Sequence, residues 1–200
     1  MKKALTVLIV ILLVFSACKS EPNVKRVDPD TQIDLSGYWN DVDVKIVCDS
    51  LIRDCLFSPR VDQSIISKGY RPAVIVGKFK NESSEHIDTE IISTTMEMTI
   101  FNTGKLDFVS GGDTRDDVRA ERFDQQNFAS QSSMAMLHNE TGADYMLTGA
   151  VRSIIDREGN ETVRRYYVNA ELTDIETNQR LWMGQNNEIK KYIKRPNNRL

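Results

Sequence analysis

The chain has 200 residues, with 26 Lys and Arg against 29 Asp and Glu and a formal net charge of −3. That length is enough for one domain rather than two. The slightly acidic balance excludes general nucleic-acid binding, which needs a basic surface.

Lys2 and Lys3 form a short basic head, and an apolar run follows from Ala4 to Ala17, broken only by Thr6 and Ser16. A spanning helix needs about 20 apolar residues. This run is shorter, and its basic start, apolar middle and small-residue end describe an export signal over residues 1–17. Phe15-Ser16-Ala17-Cys18 resembles the lipobox of bacterial lipoproteins, with Phe15 where Leu is usual. The resemblance implies cleavage before Cys18 and lipidation of its thiol, with acyl chains of the palmitate kind holding the chain to a membrane. Each buried CH₂ adds about 0.8 kcal/mol of membrane affinity, and stable anchoring takes more than one chain. Lys19 stands where Asp would signal inner-membrane retention, so the resemblance further implies the outer membrane, with the domain facing the periplasm. Loss of Lys2 and Lys3 takes the mature chain to −5.

Residues 18–33 are polar, contain Pro22 and Pro29, and are expected to form a flexible tether. Fully stretched, such a segment reaches about 50 Å; as a coil it reaches roughly 20 Å. Ser36-Gly37 predicts a turn, and Asn40 or Asp41 a helix cap. Val44, Val47, Cys48, Leu51 and Cys55 then recur on one helical face until Pro59. Cys48 and Cys55 lie two turns apart, about 10.5 Å, too far for a disulfide; both are expected to be small buried apolar residues.

A short helix is predicted over Val61 to Lys68 and a strand over Ala73 to Phe79, whose continuous apolar start suits a strand covered on both faces. After the polar stretch Asn81 to Glu85 come a helix over Ile87 to Asn102, stopped at Gly104, and a strand over Leu106 to Val109. A charged helix capped by Asp113 or Thr114 is expected to run to about Phe123, and another helix over Ser132 to Glu140. The last third reads as a meander: strands over Ala143 to Ile155, Thr162 to Thr173 and Leu181 to Ile193, with turns at Gly159-Asn160 and Thr177-Asn178. The fold class is α/β in the broad sense, mixed α+β. The globular domain over residues 34–194 is expected to carry one mixed sheet of about four to five strands flanked by helices, with a C-terminal antiparallel meander, and residues 195–200 a basic polar tail.

No catalytic or metal-binding constellation stands out. Ser83, Ser84, His86 and Asp88 hold the residue types of a nucleophilic triad, but a run on one loop is better explained as a helix start. His86 and Glu90 lack further ligands for a closed metal site. Gly111-Gly112 sits where phosphates often bind, yet Asp113, Asp116 and Asp117 would repel an anion there. From the residues alone, the chain is a lipid-anchored domain with no cofactor, no metal and no enzymatic activity.

Several longer motifs carry a resemblance. Val27-Asp28-Pro29-Asp30-Thr31, Asp34-Leu35-Ser36-Gly37-Tyr38-Trp39-Asn40-Asp41, Arg71 to Gly77, Asn81 to Ile87, Arg122-Phe123-Asp124-Gln125-Gln126, Glu140 to Asp144 and Glu171 to Asn178 occur in the order and spacing of the LpoB family. The chain resembles these lipoprotein activators of penicillin-binding proteins from about residue 27 to 194. The resemblance implies an outer-membrane lipoprotein, not an enzyme, that binds a class A penicillin-binding protein, a bifunctional peptidoglycan synthase, and activates it, so regulating cell-wall synthesis and cell shape. Its tether is shorter than the enteric family member's. The exposed polar positions within the motifs, Asn81, Ser83, Ser84, Glu85, His86, Asp124, Gln125 and Gln126, are the candidate partner-binding residues. A second class is a subunit or accessory lipoprotein of a curli-type secretion or envelope-assembly complex, which needs an extra pair of alternating strands that the sequence does not show.

Overall fold

In the computed structural model, which describes residues 24–28 and 31–196, Asn40 opens the first helix through a reciprocal cap. Its side chain accepts the Asp43 N–H at 3.1 Å, and the Asp43 carboxylate accepts the Asn40 N–H at 3.0 Å. The export signal and the lipidation candidate Cys18 lie outside the described residues, as does part of the tether. Helix α1 (Asp41–Leu56) buries Val44, Val47, Cys48, Leu51, Ile52, Cys55 and Leu56. Cys48 and Cys55 are free and buried, and burial pushes both thiols up to about 12.

Helix α2 (Pro59–Lys68) begins two residues earlier than the apolar spacing predicts. Pro59 does not merely end α1: it occupies the first turn of α2, where its fixed φ suits the helix and its missing N–H costs nothing, with Ser58 as the cap. Strand β1 (Ala73–Asn81) buries Ala73 to Val76 in succession. Helix α3 (Thr89–Thr103) is capped by Asp88 and stops at Gly104, whose φ of +63° favours glycine. Strand β2 (Asp107–Phe108) is short.

Helix α4 (Gly112–Phe128) runs beyond the expected Phe123, has no side-chain cap and buries none of its residues. The helix expected over Ser132 to Glu140 does not form. The Ala135 N–H and carbonyl bond instead to Gln125 and Gln126 of α4, and the Ser133 hydroxyl donates to the Ser130 carbonyl, side-chain bonds that compete with a helix. The segment 129–144 returns along α4 as irregular chain.

Strands β3 (Tyr145–Glu158) and β4 (Glu161–Asp174) form a long antiparallel hairpin through Gly159-Asn160. The expected last strand is split into β5 (Arg180–Asn186) and β6 (Lys190–Lys194). Both lie along β4: β5 against Val168 to Thr173, β6 against Glu161 to Arg165. The break falls where Asn186 turns in to accept the Glu188 N–H and Ile189 is buried.

The result is one mixed sheet of six strands in the order β2-β1-β3-β4-β5, with β6 also on β4. β1 is parallel to β2 and β3, and the rest is antiparallel. Strand β4 alternates strictly: Tyr166, Val168, Ala170 and Leu172 are buried, while Tyr167, Asn169 and Glu171 are half-exposed. The buried side meets α1 and α3 in a core that includes Ile92, Met96, Ile100, Leu147, Val151 and Trp182. On the opposite side Met146 and Met183 face solvent.

Candidate partner-binding surface

Two of the family-like motifs converge on one end of β4. Arg164 and Glu85 are both buried, their side chains 3% and 6% exposed, with Arg164 Nη1 3.3 Å from Glu85 Oε1. The Tyr166 hydroxyl donates to Glu85 Oε2 at 2.7 Å. The Arg164 guanidinium lies 3.7 Å over the Tyr38 ring, and Trp39 meets Tyr166 edge-on at 5.2 Å. Lys191 on β6 holds the same stretch down: its ammonium reaches the Asp34 and Asp43 carboxylates and donates to the Tyr38 carbonyl. Gly37, at φ +71°, passes so close to Ile193 that a Cβ would clash. The Asp34-to-Asp41 motif is therefore a clamp that closes the domain where the chain comes into it.

The loop after β1 is organised by its own side chains. Asn81 donates to the Glu85 carbonyl at 2.8 Å and accepts from the Ser83 N–H and hydroxyl at 3.0 and 2.7 Å. The Ser84 N–H meets Ser153 Oγ at 3.4 Å. These bonds present Ser84 and His86 to solvent and turn Glu85 inward. The expectation that Glu85 is exposed does not hold: a charged residue in a polar loop found a buried cation across the sheet.

A third motif forms a second polar cluster at the head of the strands. Asp144 accepts the Ala73 N–H at 2.8 Å, the Tyr70 hydroxyl at 2.6 Å and the Lys68 ammonium at 3.0 Å. Burial alone raises the Asp144 carboxyl, but these donors outweigh it and hold the group below the usual carboxylate range. A carboxyl depressed in the folded state contributes stability above its unfolded pKa and loses it as pH falls through the folded value. Asp174 has the same sign, through Thr177 and Lys68. Urea midpoints measured at about pH 7 and about pH 3 are expected to differ less in Asp144→Asn than in the wild type. An unchanged gap would remove Asp144 from the acid response.

The surface around α4 is different in kind. Arg119 clasps Glu140 through two bonds of 3.0 and 3.1 Å, and Arg115 and Arg122 approach the same carboxylate at 3.2 and 3.6 Å. Gln125 accepts the Ala135 N–H at 2.8 Å and Gln126 donates to the Ala135 carbonyl at 2.7 Å. Helix and returning segment are thus joined by polar bonds while their apolar side chains stay in water: Phe128 is 83% exposed, Met136 74% and Phe123 61%. Asp124 is exposed beside them.

The structure therefore divides the sequence candidates. Asn81 and Ser83 build a loop, Glu85 is buried, and Gln125 and Gln126 secure the return segment, while Ser84, His86 and Asp124 remain open. The described contacts do not join the 81–86 group to the 124–126 group. The sequence candidates for partner contact left out Arg115 and Arg119, and also Arg122 and Glu140 although both fall within the family-like motifs; the spacing of the three arginines puts them on one helical face. Among the described residues no group of three or more His, Cys, Asp or Glu is placed to hold a metal, and no helix is long and apolar enough to cross a membrane.

These features define a small mixed α+β domain, helices α1 and α3 packed on one side of its sheet and α4 left at the surface. The family description "Peptidoglycan-synthase activator LpoB" matches residues 43–188, and the chain belongs to that family. Among solved structures, the LpoB C-terminal domain from Salmonella enterica is 14% identical, covering 72% of this chain and 97% of its own, at a TM-score of 0.40. The NMR structure of E. coli LpoB is 13% identical over 90% of this chain and 86% of its own, TM-score 0.40. Lipoprotein GNA1162 from Neisseria meningitidis is 18% identical over 64% and 88%, TM-score 0.38. No curated protein matches by sequence.

Proposed function

We propose that this chain is an outer-membrane lipoprotein that binds a class A penicillin-binding protein and stimulates its synthesis of peptidoglycan. Membership of the activator family supports the class of function. The lipobox-like Phe15 to Cys18 and the following Lys19 support anchoring at Cys18 to the outer membrane, with residues 18–33 as the tether. The domain catalyses nothing itself. An activator shifts its target only by binding the active state better than the inactive one, so its energy is spent on contact surface.

The observation that carries the location of that surface is the exposed apolar face of α4 and its return segment. Phe123, Phe128 and Met136, each more than 60% exposed, lie on α4 and on the segment that Gln125 and Gln126 hold against it. Large exposed apolar side chains on two segments held together make this region a candidate interaction site. Ser84, His86 and Asp124 stay available as polar contacts.

The test is a pull-down from detergent-solubilised host membranes, with the chain from residue 18 carrying Cys18→Ser as bait, followed by a glycosyltransferase assay on the captured synthase. The expected result is recovery of a class A penicillin-binding protein, faster glycan synthesis on adding the bait, and loss of both with Phe128→Ser and Met136→Ser together. Capture of a different envelope protein, with no synthase, would overturn the activator reading.

A further inference from the structure

Arg115, Arg119 and Arg122 hold three positive charges on one face of α4, and Glu140 is the carboxylate they share. Asp116 adds a 3.6 Å contact to Arg119 from a largely solvated position, where an ion pair contributes little. One carboxylate satisfies one guanidinium fork, so the cluster keeps unspent donors. Arg115 donates its Nε–H to the Ser110 carbonyl at 2.9 Å, and its Nη2 is buried without a protein acceptor.

The cluster also sits in a shaped place. On one side Phe123, Leu137 and His138 join Arg119 and Arg122 around a cleft of about 260 Å³. On the other, Val109, Val118 and Arg115 border a second cleft of about 270 Å³. Arg122 and Glu140 line both clefts, so a ligand lying across them meets an apolar wall and a cationic floor together. The three guanidinium groups meet Glu140 and Asp116 on this face, while α4 also carries Asp113, Asp117, Glu121 and Asp124.

We propose that this double cleft takes a segment of a partner protein in which a Glu or Asp stands beside a bulky apolar side chain. The carboxylate meets Arg122 and the accessible part of the Arg115 guanidinium where the two clefts join, and the apolar side chain lies against Phe123 and Leu137. The assignment rests on the activator reading above and names the chemistry of the docking segment. Complementary charge fixes register and speeds encounter; the apolar anchor supplies residence.

The experiment is a fluorescence-anisotropy titration of the chain from residue 18, with Cys18→Ser, using two labelled peptides. One carries Glu flanking a Leu-Phe pair, and the other has Gln in place of each Glu. The Glu peptide is expected to bind at least roughly tenfold tighter, as a charge-assisted pair does over a neutral one, and the gap is expected to narrow with added salt. Arg115→Gln with Arg122→Gln should abolish the difference, and Phe123→Ser, at an exposed position, should weaken both peptides without touching the fold. Equal binding of the two peptides, or indifference to both variants, would overturn the proposal. So would displacement by disaccharide stem peptides, which carry carboxylates without a bulky apolar neighbour. Running the pull-down with the Arg115→Gln, Arg122→Gln chain separates the two ideas. Undiminished synthase recovery sinks the cleft and leaves the activator reading; peptide binding with no synthase recovered from the unmodified chain sinks the activator reading and leaves the cleft.

Discussion

Arg164→Ala is expected to destabilise the domain by about 3–5 kcal/mol, the cost of leaving a buried charge without its partner, read as a fall in the urea unfolding free energy. Arg164 and Glu85 are both almost fully inaccessible and lie 3.3 Å apart. Without the guanidinium, Glu85 keeps one donor, the Tyr166 hydroxyl. The Tyr38 ring also loses the cation beneath it, so the clamp at residues 34–41 loosens in the same step. Arg164→Met combined with Glu85→Leu removes both charges and fills the space; this double variant is expected to recover most of the loss. A cost under about 1 kcal/mol for the single variant would mean that the pair behaves as a solvated one. By the same reasoning a substitution at Glu85 reports on stability rather than on partner contact.

Gly149→Ala is the second large effect, about 3 kcal/mol at the upper end of overpacking costs. Gly149 lies in the middle of β3, where a glycine ordinarily weakens a strand. Here the Phe79 ring lies across it: an added Cβ would sit 2.3 Å from Phe79 Cε1 and 2.3 Å from the Asn169 carbonyl oxygen on β4. The ring can rotate away, but the neighbouring strand's backbone cannot without breaking the register that pairs Gly149 with Ala170. Thermal unfolding of Gly149→Ala beside Gly159→Ala checks this. Gly159, at the hairpin turn with φ +57°, has open space around it, so its variant pays only backbone strain and is expected to unfold at a higher temperature.

The two results bear on how the partner surface is mapped. Residues that look alike in the sequence, polar and inside family-like motifs, divide into scaffold and surface. Asn81, Ser83 and Glu85 hold the β1 loop and the β4 end together, so their variants test stability. Under the proposed function, variants at Phe123, Phe128, Met136 and the arginines of α4 test binding.

Features that depend on near neighbours were legible along the chain. The apolar spacing of Val44 to Cys55 made α1, the alternation of Tyr166 to Leu172 made β4, and Gly104 and Gly159-Asn160 set a helix end and a hairpin. The LpoB-like motifs were legible as strings, and they named the family. The role of each charged or polar side chain came from long-range packing. Glu85 and Tyr166 are 81 residues apart in the chain, and no periodicity links them. In the stretch Ser132 to Glu140, where a helix was expected, the Ala135 N–H and carbonyl bond to Gln125 and Gln126 of α4 instead. The last strand broke because Asn186 and Ile189 turned inward, and α4 stayed uncovered because no element of the fold packs over it. Local pattern fixes which hydrogen bonds the backbone makes with itself; the fate of a side chain depends on which distant element folding brings against it.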